Sequence, residues 1–260
     1  MIPSFSSIFN SGLLNEHTGV LVFNAVQLLG IPSQFKGESE TATAYSKFAQ
    51  GLPEDEKKRV ASRTGMLIIY VPATIVALLS ISTSSTCTLA GLMCFIHFLK
   101  RTLEVLYLHK YSGTVELGIS QFIGVFYAFI TFMICMVSRN EVDPQVMRLA
   151  QALFCIGILG NFYHHYLLAS LRKNSAESEK RYHAPKGGCF EFVAAPHYLF
   201  ELIGWLGIAF AAGDLTAFLN FATMTAYLSA RSKNQNDWNR GQFDKNEWPS
   251  SRKNLVPFIY

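Results

Sequence analysis

Apolar residues in this 260-residue chain fall in long unbroken runs, not at the alternate positions of a half-buried strand. Seven runs stand out, over 18–35, 65–85, 88–109, 118–137, 148–170, 192–212 and 214–230. Each is close to the roughly 20 residues that carry a helix across about 30 Å of hydrocarbon. A run in lipid must satisfy its backbone hydrogen bonds internally, which leaves a helix or a closed barrel, and the lack of alternation argues against the barrel. The pattern predicts an all-α polytopic membrane protein with about seven transmembrane helices. Gln27 and Pro32 interrupt the first run, and only Gly213 and Asp214 separate the last two, which predicts a tight helical hairpin. The longest polar stretch, residues 36–64, reads as a loop with room for a short surface helix. Residues 1–64 are thus an N-terminal segment with the first span and a cytosolic loop, and 65–260 continue as one membrane domain.

Composition agrees with this picture: half of the residues are hydrophobic, 15% are charged and the mean hydropathy is +0.22. Charge placement adds a direction. If the C-terminus is cytosolic, that side collects Lys36, Lys47, Lys57, Lys58, Arg59, Arg63, Lys100, Arg101, Lys110, Arg172, Lys173, Lys180, Arg181, Lys186 and every basic residue after 230, although Lys100 and Arg101 lie inside a proposed span, whereas the opposite side keeps Arg139 and Arg148. The N-terminus then faces the lumen. The first sixteen residues carry no Lys or Arg and no small-residue cleavage pattern follows, so no cleavable signal peptide is expected and the first helix should act as anchor. The net charge of +4 resides in the loops, which points to lipid headgroups and away from nucleic acid. The five cysteines form no CxxC pair, and neither a disulfide framework nor a zinc site is expected.

Ionisable residues inside a bilayer are costly and usually face one another or a cavity, so they mark where chemistry should lie. Three stripes meet that description. In "IHFLKRTLEVLYLHKYSG", His97, Arg101, Glu104 and Tyr111 share a helical face, and Lys100, Glu104 and Tyr107 share an overlapping one. In "GNFYHHYLLASLRK", Asn161, His165 and Arg172 share another. The His pair invites a metal reading, but the seven histidines form none of the HxxxH or HxxHH groups of membrane di-iron enzymes, so cofactor contact is preferred and no metal is assigned. In "KGGCFEFVAAPHYLFELIGW", His197, Glu201, Gly204 and Ile208 line one face with Tyr198 beside Glu201. Gly187 and Gly188 precede this helix, where close backbone approach and a helix start would suit a phosphate. All three stripes are biased toward the cytosolic half, where a soluble charged cofactor can enter an intramembrane site.

These stretches, with the tail "FDKNEWPSSRKNLVPFIY", resemble the steroid 5α-reductase family and its relatives the trans-2-enoyl-CoA reductases. "SRTGMLIIYVPA", "HFLKRTLEVLYLHKYSG" and "GNFYHHYLL" look most like the plant 3-oxo-5α-steroid 4-dehydrogenase-like branch, and the resemblance runs from about residue 60 to the end. It implies seven transmembrane helices, an endoplasmic reticulum location, which with the charge placement leaves the C-terminus cytosolic, NADPH as cofactor, and reduction of a carbon–carbon double bond conjugated to a carbonyl. By the same resemblance Tyr198 would be the proton donor or carbonyl contact and Glu104 would orient it. Asn161, Arg172, His197, Glu201 and Arg231 would be cofactor-side positions; the polar stripes themselves add His165, Gly187 and Gly188 to the cofactor side and His97, Arg101 and Tyr107 as substrate or supporting residues.

The chain departs from the family pattern at two places. Phe98 stands where steroid reductases carry a substrate-contacting tyrosine, and "KNQNDWNRGQF" replaces a basic and aromatic segment, keeping Trp238 and Phe243 but placing Asn239 and Asp237 at its Tyr and basic positions. The leading expectation is an NADPH-dependent reductase of a 4-en-3-one steroid, with a very-long-chain enoyl thioester next and a polyprenal third. A membrane methyltransferase, suggested by "APHYLFE", and a non-catalytic sterol-binding relative are the other classes considered.

Overall fold

The computed structural model describes residues 17–43, 58–83, 88–138, 141–173 and 182–260, without the side chains of Thr83, Arg172 and Lys173. Seven long α-helices occupy the described residues, and each overlaps one apolar run. They are α1 (Thr18–Glu40), α2 (Ser62–Thr83), α3 (Leu89–Leu103), α4 (Leu117–Val137), α5 (Pro144–Lys173), α6 (Pro196–Ala212) and α7 (Leu215–Gln242). The α6–α7 hairpin turns at Gly213, whose φ of 62° suits glycine, while the Asp214 carboxylate caps α7 by accepting from the Thr216 N–H.

By length and composition, three of these helices can cross a membrane, over Ser62–Ser82, Leu117–Val137 and Pro144–Leu171. The apolar runs had suggested seven. α3 and α6, at 15 and 17 residues, fall short in length, and α1 and α7 carry polar residues on their buried faces. Large apolar side chains such as Leu29, Phe122, Val125 and Leu159 point outward, as lipid-facing positions do.

Two boundaries differ from the sequence pattern. α1 continues through Pro32 to Glu40, five residues beyond the first run, with the Thr41 N–H donating to the Gly37 carbonyl. The run over 88–109 is not one α-helix. After Leu103 it passes into a π-helical turn over Glu104–Leu108, closed by the His109 N–H donating to the Glu104 carbonyl at 2.9 Å. The wider turn changes which residues share a face, so Tyr107, expected beside Glu104, is 81% exposed and stands outside the polar cluster. A two-stranded antiparallel ribbon is a further feature that the runs did not announce. β1 (Arg59–Ala61) pairs with β2 (Thr114–Glu116), Val60 opposite Val115, and holds the start of α2 against the start of α4.

Close helix approach positions the site. A Cβ added at Gly157 in α5 would lie 2.3 Å from the Gly204 nitrogen in α6, so the two backbones touch there. The last residues then strap the mouth of α6. The Ala194 N–H donates to the Lys253 carbonyl and the Ala195 N–H to the Asn254 carbonyl. Buried Trp248 donates from Nε1 to Asn236 at 2.8 Å, and Arg252 lies over its ring at 4.2 Å. Burial pulls the Arg252 guanidinium below its usual pKa, and the Glu191 carboxylate 3.5 Å away opposes that shift.

Gly157→Leu should force α5 and α6 apart and lower stability by about 1–3 kcal/mol or more. Thermal unfolding of the detergent-solubilised protein checks it; an unchanged midpoint would mean the two helices do not meet at this glycine.

Candidate active site

α3 brings Lys100 and Arg101 to one side of the bundle, and the π turn that follows presents Glu104 to both. The carboxylate is 3% exposed and meets three nitrogen groups. Its Oε2 accepts from Arg101 Nη1 at 2.6 Å and lies 2.9 Å from His165 Nδ1, and its Oε1 is 2.8 Å from Lys100 Nζ. Arg101 reaches across to α2, donating from Nη2 to the Tyr70 hydroxyl at 2.7 Å. One buried ionic knot thus ties α2, α3 and α5 together. His165 Nδ1 is also 2.8 Å from Arg101 Nη1, so it either donates to Glu104 or accepts from Arg101, and its tautomer chooses.

A second thread leads to α6. Lys100 donates to the side-chain oxygen of Asn161, and Asn161 Nδ2 donates to the His197 carbonyl at 2.8 Å. The His165 ring lies 5.4 Å from that of His197, which lies 4.2 Å from Tyr198 and has a buried Nδ1 with no hydrogen-bond partner. His97 packs on Phe98 and on Trp205 at 4.9 Å. Of the expected residues, Glu104, Arg101, His97, Asn161, His165 and His197 therefore converge, with Tyr198 and Glu201 following on α6.

The expected phosphate contacts are arranged differently. Arg231 is buried against the end of α1, donating from Nη1 to Glu38 Oε1 at 2.7 Å and to the Thr43 carbonyl at 3.1 Å, and its guanidinium also faces the Tyr198 hydroxyl. Gly187 has a φ of 86° and its N–H donates to Glu191 Oε1 at 2.7 Å. Gly188 abuts His164, which leaves no room for a side chain, and the Cys189 N–H donates to His164 Nε2. The glycines open a short 3-10 turn over Gly188–Glu191; α6 starts only at Pro196, so they do not directly precede the helix as its sequence suggested. The side chain of Arg172 lies outside the described residues.

Glu38, Tyr70, His164 and Asn236 were not singled out from the sequence. Tyr70 reads there as one aromatic in an apolar run, and Glu38 as a loop residue; only the extension of α1 brings that carboxylate to Arg231. Among the described residues, Glu104, His109 and His165 are close enough to share a metal ion, with ligand atoms within 4.8 Å. Arg101 and Lys100 already take both Glu104 oxygens, so a cation there would have to displace two others.

With this geometry established, similarity to known proteins becomes informative. The family profile described as 3-oxo-5-alpha-steroid 4-dehydrogenase matches residues 119–260, more than half of the chain. The chain belongs to this family. Members similar to it include rat 3-oxo-5-alpha-steroid 4-dehydrogenase 1, 37% identical over 109 residues, which are 42% of this chain and 40% of the rat protein. The very-long-chain enoyl-CoA reductase of Dictyostelium discoideum is 29% identical over 179 residues, 65% of this chain and 57% of that one. Polyprenal reductase 1 of Arabidopsis thaliana is 24% identical over 208 residues, 65% and 63% of the two chains. The chain spans about half the length of the curated relatives it matches. The family match takes in α4 through the C-terminal strap, and so includes Asn161, His165, His197, Tyr198, Glu201 and Arg231 but not the α3 half of the ionic knot.

Glu104→Gln should leave Arg101 and Lys100 facing each other without their counter-charge, destabilising the protein by about 3–5 kcal/mol. Adding Lys100→Met should recover part of the loss. Thermal unfolding of the two variants measures both effects, and a single variant as stable as wild type would refute the knot.

Proposed function

We propose that this protein is an endoplasmic reticulum membrane enzyme, with a cytosolic C-terminus, that uses NADPH to reduce a carbon–carbon double bond conjugated to a carbonyl. A 3-oxo-4-ene steroid is the favoured substrate. The observation that carries this reading is the convergence of polar faces from α3, α5 and α6 inside a helical bundle of this family. Intramembrane charges so arranged suit a reaction in which negative charge develops on a carbonyl oxygen in a site shielded from water.

The residues fit an anionic nicotinamide cofactor on chemical grounds. A carboxylate already stands against the Arg231 fork and another against the Gly187 N–H, so both donors are shaped for an oxyanion. In this reading Arg231 would hold a cofactor phosphate, with Arg172, Gly187, Gly188 and His165 on the cofactor side as well. Asn161 and His197 would line the same side, and Glu201 would accept from the nicotinamide amide. NADPH, when bound, supplies the hydride that reaches the β-carbon.

Tyr198 gives its hydroxyl proton to the substrate carbonyl oxygen as hydride reaches the β-carbon, which forms the enol; the α-carbon then takes a proton from water while the enol O–H returns its proton to the Tyr198 phenolate, leaving the saturated ketone and the starting phenol. The Arg231 cation facing that hydroxyl stabilises the phenolate left behind. Glu104 is a positioning residue in this scheme. It holds His165, whose ring leads through His197 to Tyr198. His97 and Arg101 support the substrate side through Trp205 and Tyr70.

A very-long-chain enoyl thioester is the second reading, favoured by the longer match to the Dictyostelium enoyl-CoA reductase and by Phe98 at the position of a steroid-contacting tyrosine. Microsomes from cells expressing the full chain should oxidise NADPH in the presence of a steroid enone and yield the saturated ketone by mass spectrometry. Tyr198→Phe should lower that rate by about 100-fold or more with expression intact. A wild-type rate in this variant would remove the assigned role, and no NADPH oxidation with a steroid enone, an enoyl thioester or a polyprenal would sink the proposal.

A further inference from the structure

The first helix is turned inside out. Its buried residues are Asn24, Gln27 and Glu38, whereas Val22, Val26 and Leu29 are exposed. Glu38 is matched by Arg231, but Asn24 and Gln27 are not matched by anything: both polar atoms of each side chain are buried without a hydrogen-bond partner. On α7, Asn220 is 1% exposed and both of its amide atoms are equally unpartnered.

The register of the two helices sets these three amides at one level. Gln34 and Tyr227 line one cavity of about 220 Å³, and one helical turn further along each helix Glu38 meets Arg231. Positions that advance together on both helices mean that α1 and α7 run parallel. The separation of 193 residues between Glu38 and Arg231 therefore sets Gln27 level with Asn220. Asn24 is three residues from Gln27 on the same face of α1. Eleven residues at about 1.5 Å each place this level about 16 Å along the helix pair from the Glu38–Arg231 contact. No charged residue occurs over 18–35 of α1 or over 215–230 of α7.

Six buried amide atoms without partners carry a desolvation cost that the fold gains nothing from. We propose that Asn24, Gln27 and Asn220 form a binding site for an uncharged oxygen, a hydroxyl or a ketone, on a lipophilic ligand. Neutral amides both donate and accept, which suits either group, and the absence of charge at this level disfavours a phosphate or carboxylate headgroup. Identifying the ligand with the substrate rests on the function proposed above, and the site then discriminates within it. A steroid enone with an oxygen at the end remote from its reacting ketone offers these amides a partner. The hydrocarbon tail of an acyl thioester or a polyprenal does not.

The test is equilibrium binding to the full chain in nanodiscs of two 4-en-3-one steroids, one with a 17-hydroxyl and one with hydrogen in its place. The hydroxylated steroid should bind roughly tenfold more tightly. Asn220→Leu and Gln27→Leu should each remove that preference while leaving the thermal midpoint of the ligand-free protein unchanged or higher, since a buried unpartnered amide is exchanged for an apolar side chain of similar size. Equal affinities in the wild type, no binding of either steroid, or a preference that survives in both variants would overturn the site. So would a lowered midpoint in both variants, which would mark the amides as structural partners of each other. A hydroxyl preference without NADPH-dependent reduction of any enone would keep the site and remove the reaction, and reduction accompanied by equal affinities would do the reverse.

Discussion

A carboxylate buried among helices must find its counter-charges within the protein, because the loss of hydration is otherwise too large to offset. Glu104 meets that condition through Arg101, Lys100 and His165. Much of the site follows from it. Arg101, drawn to Glu104, also holds Tyr70 of α2, and Lys100 passes the connection through Asn161 to the backbone of His197. The π turn after α3 belongs to the same constraint, since it presents the carboxylate to residues three and four positions earlier and to α5 at once. The groups proposed to carry chemistry on α6 are therefore placed by an ionic contact two helices away.

The second organising contact lies at the same, N-terminal end of α6. The tail strap pairs its backbone with residues 192–195, and Trp248, Asn236 and Arg252 lock it in place. This gives a physical reason for the Trp-Pro-Ser-Ser-Arg-Lys ending that marks the chain as a family member. In this structure those residues hold the mouth of α6 shut against the C-terminal end of α7. The altered segment "KNQNDWNR" contributes to the same lock through Asn236 and so has a packing role.

Much of the bundle was legible in the chain. Every long helix overlaps an apolar run, and the hairpin turns where Gly213 and Asp214 interrupt the pattern. The polar stripes were legible too, because ionisable residues in apolar runs stand out. Tyr107 could not be placed in the same way: its assignment assumed a uniform 3.6-residue period, and one π turn was enough to move it outward. Gly187 and Gly188 could be recognised as a tight turn, but not that the backbone around them would be taken up by Glu191 and His164. Gln27 looked like an interruption of a weak span, and its burial became visible only when the helices were packed.

By itself the sequence determined the helical class, the apolar belts and the identity of the residues able to carry charge into the bundle, because these follow from local hydrophobicity and helical period. The tertiary structure decided which charges meet. Glu38 and Arg231 are separated by 193 residues and paired at 2.7 Å, and no local pattern encodes such a contact. It arises from the register of two parallel helices, the same register that sets Gln27 level with Asn220.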